Sequence, residues 1–235
     1  MNSLVTLLGP LLFLIYINDI SHNLESNVKL FADDTSIFSI VHGPNISGTI
    51  LNRDLDKIHQ WAYQWKMSFN PDPSKQAHEM IFSKKINKPI HPDLSFNQLP
   101  VERVVSHKHL GLILDEKLNF NSHLKMITDK ATKGISVLRK LRHYIPRNSL
   151  ITLYKSFIRS HLEYGDIVFD QSNNASFSKK LESIQYNVAL AITGAVRGSS
   201  KVKLYEELGL ENLKSRRWLR RLCSFYKIIK TKSPS

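Results

Sequence analysis

The spacing of apolar residues changes near residue 120, and this change constrains the fold of the 235-residue chain more than any other feature. Before it, short apolar runs such as VKLFADDTSIFSI (28–40) and KHLGLILDEKLNF (108–120) are typical of β-strands. After it, apolar residues recur every three or four positions, which predicts helices over 122–143, 147–164, 178–193 and 211–230. The sequence therefore predicts an α+β region over residues 1–120, followed by an all-helical region over residues 121–235.

The two regions also differ in charge. The whole chain has a net charge of +13. Residues 1–120 contain 11 Lys and Arg against 12 Asp and Glu, whereas residues 121–235 contain 22 against 8. A strongly basic half indicates a polyanionic partner, and a well-solvated surface is the alternative.

Cys223 is the only cysteine, so the sequence excludes a disulfide partner within the chain and a zinc site built from several cysteines. This is typical of an intracellular protein, and it does not separate nucleus from cytoplasm. Residues 4–17 are mostly apolar, but no basic residue precedes them, and the run is too short for a bilayer core of about 30 Å. We therefore expect a buried segment and no membrane partner.

Two adjacent aspartates, Asp33 and Asp34, interrupt the apolar run at 28–40. The pattern predicts a hairpin with both carboxylates at its apex. One interpretation is a polar turn in which an aspartate caps its own backbone. The other is a rigid acidic site for Mg²⁺, an ion that binds carboxylate and phosphate oxygens.

The stretch between the two β-rich runs is predicted to contain a helix and a strand. Residues 52–68 have an amphipathic pattern, with Asn52 as the expected N-cap, and the prolines of FNPDPSK stop the helix. HEMIFSKK (78–85) predicts a strand.

Four blocks in order resemble the reverse transcriptases of non-LTR retrotransposons, the jockey-like and related LINE-type elements. The blocks are LGPLLFLIYINDI (8–20), FADDTSIF (31–38), LDKIHQWAYQWKMSFN (55–70) and HKHLGLILDEKLNF (107–120). The resemblance implies part of a right-hand polymerase palm, an antiparallel sheet with helices, followed by a helical thumb-like region. It also implies RNA-directed DNA polymerisation that uses Mg²⁺, an RNA template and a DNA primer.

The resemblance also implies roles for individual residues. Asp33 and Asp34 are the expected catalytic and metal-binding residues, with Asp33 as the metal ligand and Asp34 as the adjacent, usually less directly coordinating partner. The residues assigned to nucleotide or primer binding are Phe31, Ala32, Lys75, Leu110 and Gly111. For Lys75, a solvated turn lysine is the alternative interpretation.

The sequence departs from the family pattern at two points. The family's other metal aspartate lies in a strand before the GPLLFLIY block, and the family's Gln-Gly pair corresponds here to Leu4 and Val5. We therefore expect a truncated or degenerate polymerase with little or no activity alone. A non-catalytic nucleic-acid-binding remnant is the rival interpretation, and a product that never accumulates as a folded protein is a third.

The segment KSRRWLRRL (214–222) places Arg216, Arg217, Arg220 and Arg221 as two pairs four residues apart. This spacing predicts a cationic stripe on one helix face, suited to phosphates of a nucleic-acid backbone. A nuclear-localisation signal is the other interpretation of the same residues.

Overall fold

A computed structural model describes residues 2–70, 77–87, 90–171 and 174–231. The chain divides into two compact units, Met1–His107 and Lys108–Ser235. The mixture of helices and small sheets agrees with the predicted α+β class. The assignment of the two regions as palm and thumb stays a prediction.

The first unit begins with α1 (Asn2–Ile17) and a single 3₁₀ turn at Asn18–Ser21. A hairpin of β1 (Asn27–Phe31) and β2 (Asp34–Phe38) precedes the long helix α2 (Pro44–Gln64). The remaining strands are β3 (His78–Glu79), β4 (Ser95–Phe96), β5 (Leu99–Pro100) and β6 (Glu102–Arg103).

Helix α2 begins earlier than the sequence predicted. Gly43 is its N-cap and Pro44 is the first helical residue, a position where proline is tolerated because its missing N–H has no helical acceptor there. The expected N-cap, Asn52, lies inside the helix, where its side chain accepts a hydrogen bond from Ser95 N at 2.8 Å and donates one to Asp93 O at 3.2 Å. Asn52 therefore ties α2 to the loop before β4 instead of starting the helix.

The core of the first unit lies between α2 and the segments packed on it. Its buried members are Ile17, Ile20, Leu55, Ile58, Leu94 and Phe96, and Leu30 and Ile37 of the hairpin pack against them. One face of the hairpin thus packs on this core.

Within the described residues the strands pair two by two, whereas the resemblance implied one small antiparallel sheet. β1–β2 and β4–β5 are antiparallel, and β3–β6 is parallel. The fourth pair is formed by β7 (Ser106–His109) and β8 (Leu112–Asp115). The predicted strand over 78–85 is reduced to His78–Glu79, and two residues offer too few backbone groups to extend a ladder.

Helix α1 departs from the expectation of a buried segment. Ile17 at its end is 5% exposed, but Leu11, Leu14 and Ile15 are exposed by 53–65%. No helix within the described part of the chain is both long and apolar enough to cross a membrane.

The second unit begins inside β7, at Lys108, continues through β8, and is otherwise helical. Its helices are α3 (Asn121–Leu141), α4 (Arg147–Leu153), α5 (Ser160–Glu163), α6 (Asp166–Phe169), α7 (Ala175–Thr193), α8 (Lys201–Leu208) and α9 (Leu213–Thr231), with a π-helical segment at Tyr154–Arg159. The four helical stretches predicted from the sequence are confirmed, although 147–164 contains the π-helical segment and does not form one regular α-helix.

The periodic apolar residues of α3 and α7 form the core of the second unit. On α3 they are Leu124, Ile127, Ala131, Ile135 and Leu138, each at most 4% exposed. Gly134 lies on the same helix, and a Cβ there would meet Ile158 Cγ1 of the π-helical segment at 2.7 Å. The close approach of these two segments therefore requires glycine.

The neighbours Leu138 and Val137 on α3 allow a matched test of this core. Leu138 is 2% exposed and Val137 is 55% exposed. Leu138→Ala should lower the free energy of unfolding by about 2–5 kcal/mol because it leaves a cavity. Val137→Ala should change it by less than about 0.5 kcal/mol. Urea unfolding followed by circular dichroism measures both, and equal effects would contradict the core assignment.

Candidate functional site

The predicted hairpin around the two aspartates is present. β1 and β2 are antiparallel with Phe31 opposite Asp34, so Ala32 and Asp33 are the two turn residues and Asp34 is the first residue of β2. Phe31, Ala32, Asp33 and Asp34 are all exposed. The two carboxylates therefore lie at the exposed end of a short two-stranded ladder.

The turn has strained backbone geometry. Ala32 has φ +51°, in the left-handed region that residues with a Cβ rarely adopt, and Asp33 does not share it. A two-residue hairpin with a positive φ at its first central position normally has glycine there. Strain of this kind is often found at functional sites.

Asp54 anchors the base of the hairpin from α2. Its side chain is fully buried and accepts hydrogen bonds from the backbone N–H of Glu25 at 3.0 Å and of Ser26 at 2.7 Å, and from the Ser26 hydroxyl at 2.6 Å. Burial raises the pKa of Asp54, but the hydrogen bonds from Ser26 and Glu25 outweigh this and hold the pKa below its usual value. This role was not predicted from the sequence, because the helix was expected to begin two residues before Asp54.

Asp33 and Asp34 are the residues of the hairpin that could hold a metal ion. Among the described residues, no group of three or more His, Cys, Asp or Glu side chains could hold one. Two adjacent carboxylates suit Mg²⁺, which usually takes one or two protein carboxylates together with phosphate oxygens and water. The described residues therefore bring no third His, Cys, Asp or Glu side chain to the pair.

Leu110 and Gly111 form the turn between β7 and β8, with φ +44° and +84°. The Tyr164 hydroxyl donates to Leu110 O at 2.8 Å, and a Cβ on Gly111 would lie 3.0 Å from Tyr164 Cε1. The expected primer contact of Leu110 and Gly111 stays a prediction, and so does that of Phe31 and Ala32. Lys75 lies outside the described residues.

The four arginines of α9 do not form an unobstructed cationic stripe. Arg216 Nε lies 2.7 Å from Glu163 Oε1, and Arg220 Nη1 lies 2.7 Å from Glu163 Oε2. Arg220 also donates to Asp166 through Nε at 3.0 Å. We call these residues, together with the pairs that Arg217 and Arg221 make with Asp170, the arginine–carboxylate cluster.

Arg217 is the buried member of this cluster. Its side chain is 1% exposed, its partner Asp170 is 2% exposed, and Arg217 Nε lies 3.0 Å from Asp170 Oδ1. The expectation that Arg217 faces nucleic-acid phosphates from the surface is therefore wrong, because the side chain points into the protein. Backbone contacts by Arg216, Arg220 and Arg221 stay a prediction.

The cluster shifts the acidity of its carboxyl groups in opposite directions. Burial raises the pKa of Glu163, but the hydrogen bonds from Arg216 and Arg220 outweigh it, and the pKa is lowered. For Asp166, burial outweighs the attraction of Arg220, and the pKa is raised. The role of these carboxylates was not predicted from the sequence. They lie three and four residues apart in HLEYGDIVFD, at 163, 166 and 170, but no local pattern indicates arginine partners that are 47 to 54 residues away in sequence.

The site thus consists of an exposed pair of carboxylates on a hairpin, in a chain with a basic helical unit, and sequence comparisons point to a class of proteins. The chain is 24% identical over 213 residues to a probable RNA-directed DNA polymerase from the transposon X-element of Drosophila melanogaster. It is 25% identical over 203 residues to the RNA-directed DNA polymerase from the mobile element jockey of the same species, and 23% identical over 225 residues to a probable one from the transposon BS.

These three matches cover 81–88% of the chain but only 21–24% of each relative. The chain therefore spans less than a quarter of the length of these relatives. No protein-family model matches the sequence, and no solved structure matches it significantly.

Ala32→Gly tests the strain in the hairpin turn. Glycine adopts a positive φ without the Cβ penalty, so this substitution should raise the free energy of unfolding by about 1 kcal/mol. Ala32→Val should lower it, because a β-branched residue tolerates this region least. Thermal melts of the two variants beside the parent chain measure the difference, and a destabilising glycine would contradict the turn geometry.

Asp54→Asn tests the anchor of the hairpin. At neutral pH it should destabilise the chain by about 1–3 kcal/mol, because charge-assisted hydrogen bonds are lost. The folded-state pKa is lowered, so the contribution of Asp54 is complete above the unfolded pKa of about 3.9 and is lost as the pH falls through the folded-state value. Unfolding measured from pH 7 downward should therefore show parent and variant converging in acid. The exposed Asp56→Asn on the same helix is the control and should show no such difference.

Proposed function

We propose that this chain is part of an RNA-directed DNA polymerase of a retrotransposon, in which Asp33 and Asp34 bind the divalent metal of nucleotidyl transfer. The observation that carries the proposal is the placement of both carboxylates at the exposed end of a hairpin, in a sequence whose relatives are named as such polymerases. The expected partners are an RNA template and a DNA primer or product inside the cell.

Different residues of the chain would bind the metal ion and position the residues that bind it. Mg²⁺, when bound, would supply Lewis-acid activation of an attacking hydroxyl and stabilisation of the leaving oxygen. Asp33 and Asp34 would hold the ion, and the packing of Leu30 and Ile37 against the core around α2 would fix their direction. Asp54 of α2 binds the backbone of Glu25 and Ser26 and so holds the start of β1 against that helix.

We further propose that the chain alone has little or no polymerase activity. This is supported by the described residues, which offer no third carboxylate, histidine or cysteine near the pair. A nucleic-acid-binding role without catalysis is the second candidate. This second candidate is favoured by the lack of a third such side chain near the pair among the described residues. The 22 Lys and Arg against 8 Asp and Glu in residues 121–235 also favour it.

Manganese titration tests the metal site directly. Mn²⁺ binding followed by electron paramagnetic resonance should give a weak dissociation constant, in the range of about a millimolar, because two carboxylates replace few of the ion's waters. Asp33→Asn should abolish the bound signal, and Asp56→Asn should leave it unchanged. Equal loss in both variants would contradict a specific site at the hairpin.

Binding and primer extension then separate the two candidate functions. The chain should bind an RNA template annealed to a DNA primer, with an affinity that falls steeply with salt, and it should not extend the primer. Extension that is lost in Asp33→Asn but kept in Asp56→Asn would support the polymerase and overturn the proposed inactivity. Absence of binding at low salt would overturn both functions.

A further inference from the structure

Helix α9 packs on its unit with its charged face and exposes its apolar face. Only Leu213 and Arg217 of this helix are buried. The exposed apolar residues include Trp218 (61%), Leu219 (55%), Leu222 (44%), Phe225 (62%), Tyr226 (63%) and Ile229 (61%). We call these six residues the α9 stripe.

The α9 stripe is one continuous surface. At about 100° per residue, its six members fall within an arc of about 120°, and the centre of this arc lies opposite Leu213 and Arg217. From residue 218 to residue 229 the stripe extends about 17 Å along the helix axis, at about 1.5 Å per residue. A surface helix normally turns such an arc toward the core.

The arginine–carboxylate cluster accounts for this inverted orientation. Arg217 pairs with Asp170 inside the unit, and Arg216 and Arg220 pair with Glu163 beside it. Turning the helix over would bury the stripe but would leave three carboxylates of the α5–α6 segment without their arginines, and an uncompensated buried charge is costly. The cluster therefore holds the stripe toward solvent.

The composition of the stripe and its borders indicates what covers it. Half of its members are aromatic, and the sequence of α9 contains no Asp or Glu. At the same helical spacing, Lys214 and Lys230 fall at the two edges of the arc. Flat apolar rings bordered by cations complement a polyanion that presents flat rings of its own. A second copy fits less well, because each chain has a net charge of +13 and α9 has no carboxylate for the partner's lysines.

We propose that the α9 stripe binds single-stranded nucleic acid, with bases stacked on Trp218, Phe225 and Tyr226 and phosphates near Lys214 and Lys230. This site lies on the face of α9 opposite the arginines. Trp218 and Phe225 are separated by about 10 Å along the axis, which corresponds to about three nucleotides at about 3.4 Å each. The inference rests on the proposed function only in taking nucleic acid as the ligand.

Leucine substitutions separate base stacking from simple apolar contact. The double variant Trp218→Leu, Phe225→Leu keeps an apolar surface but removes two ring faces. Fluorescence anisotropy with a labelled 15-nucleotide RNA should show at least a tenfold loss of affinity, with an unchanged salt slope, because stacking contributes without releasing counterions. The affinity for a blunt RNA duplex should be the same for the double variant and the parent, because the bases of a duplex are already stacked on each other. Tyr144→Leu, which removes an aromatic ring exposed by 82% elsewhere in the unit, is the matched control and should bind as the parent does.

The outcomes distinguish this inference from the proposed function. If the parent chain binds RNA and the double variant binds it equally well at an unchanged melting temperature, base stacking on the α9 stripe is wrong and the proposed function stands. If the parent binds no nucleic acid, both fail. Sedimentation that shows a dimer of the parent and a monomer of the double variant would assign the stripe to a second copy and overturn the inference. Quenching of Trp218 fluorescence by RNA, taken as the parent signal minus that of Trp218→Leu, should occur and would be absent if the stripe is not the site.

Discussion

Arg217 and Asp170 form an ion pair that is almost completely removed from water, with the two side chains 1% and 2% exposed. Breaking such a pair by removing one partner typically costs about 3–5 kcal/mol, because the other charge stays buried. The terminal nitrogens Nη1 and Nη2 of Arg217 have no hydrogen-bond partner among the described residues, so the pair is not optimised for stability alone. What it does fix is the rotation of α9 about its own axis. The exposure of the aromatic residues of α9 follows from that rotation.

The aspartate hairpin of the first unit depends on a carboxylate in a different way. Asp54 is buried and accepts hydrogen bonds from the backbone N–H groups of Glu25 and Ser26 and from the Ser26 hydroxyl, just before β1. Lys57 Nζ lies farther away, 3.4 Å from Asp54 Oδ1. The other end of the hairpin carries strain at Ala32 and two adjacent charges at the surface. One end is thus held firmly, and the other keeps the geometry and charge that a metal and its phosphate ligands would stabilise.

Much of the local structure could be predicted because it follows from short-range patterns. The hairpin at 28–40 and the helical stretches after residue 120 have clear periods, and Gly194 and Gly209 end their helices with positive φ. The errors have long-range causes. The start of α2 was predicted too late because Asn52 is a typical N-cap residue. In the structure its side chain is hydrogen-bonded to Asp93, before β4, and to Ser95, the first residue of β4. The free arginine stripe was wrong for Arg217 because its partner, Asp170, is 47 residues away in sequence. Periodicity identifies the faces of a helix, but tertiary contacts decide which face turns inward.

The arginine–carboxylate cluster also has a consequence for how the sequence can drift over generations. A substitution at 163, 166 or 170 removes the ion-pair partner of an arginine, and a substitution at 216, 217, 220 or 221 removes an ion-pair partner of a carboxylate. Charge reversal on both sides at once, or loss on both sides at once, avoids that cost. In lineages that descend from a common copy, these two sets of codons should therefore change together, and the positions of the stripe should be free to vary independently of them. Related sequences would then show two separate patterns of variation, one for the inward face of α9 and one for its outward face.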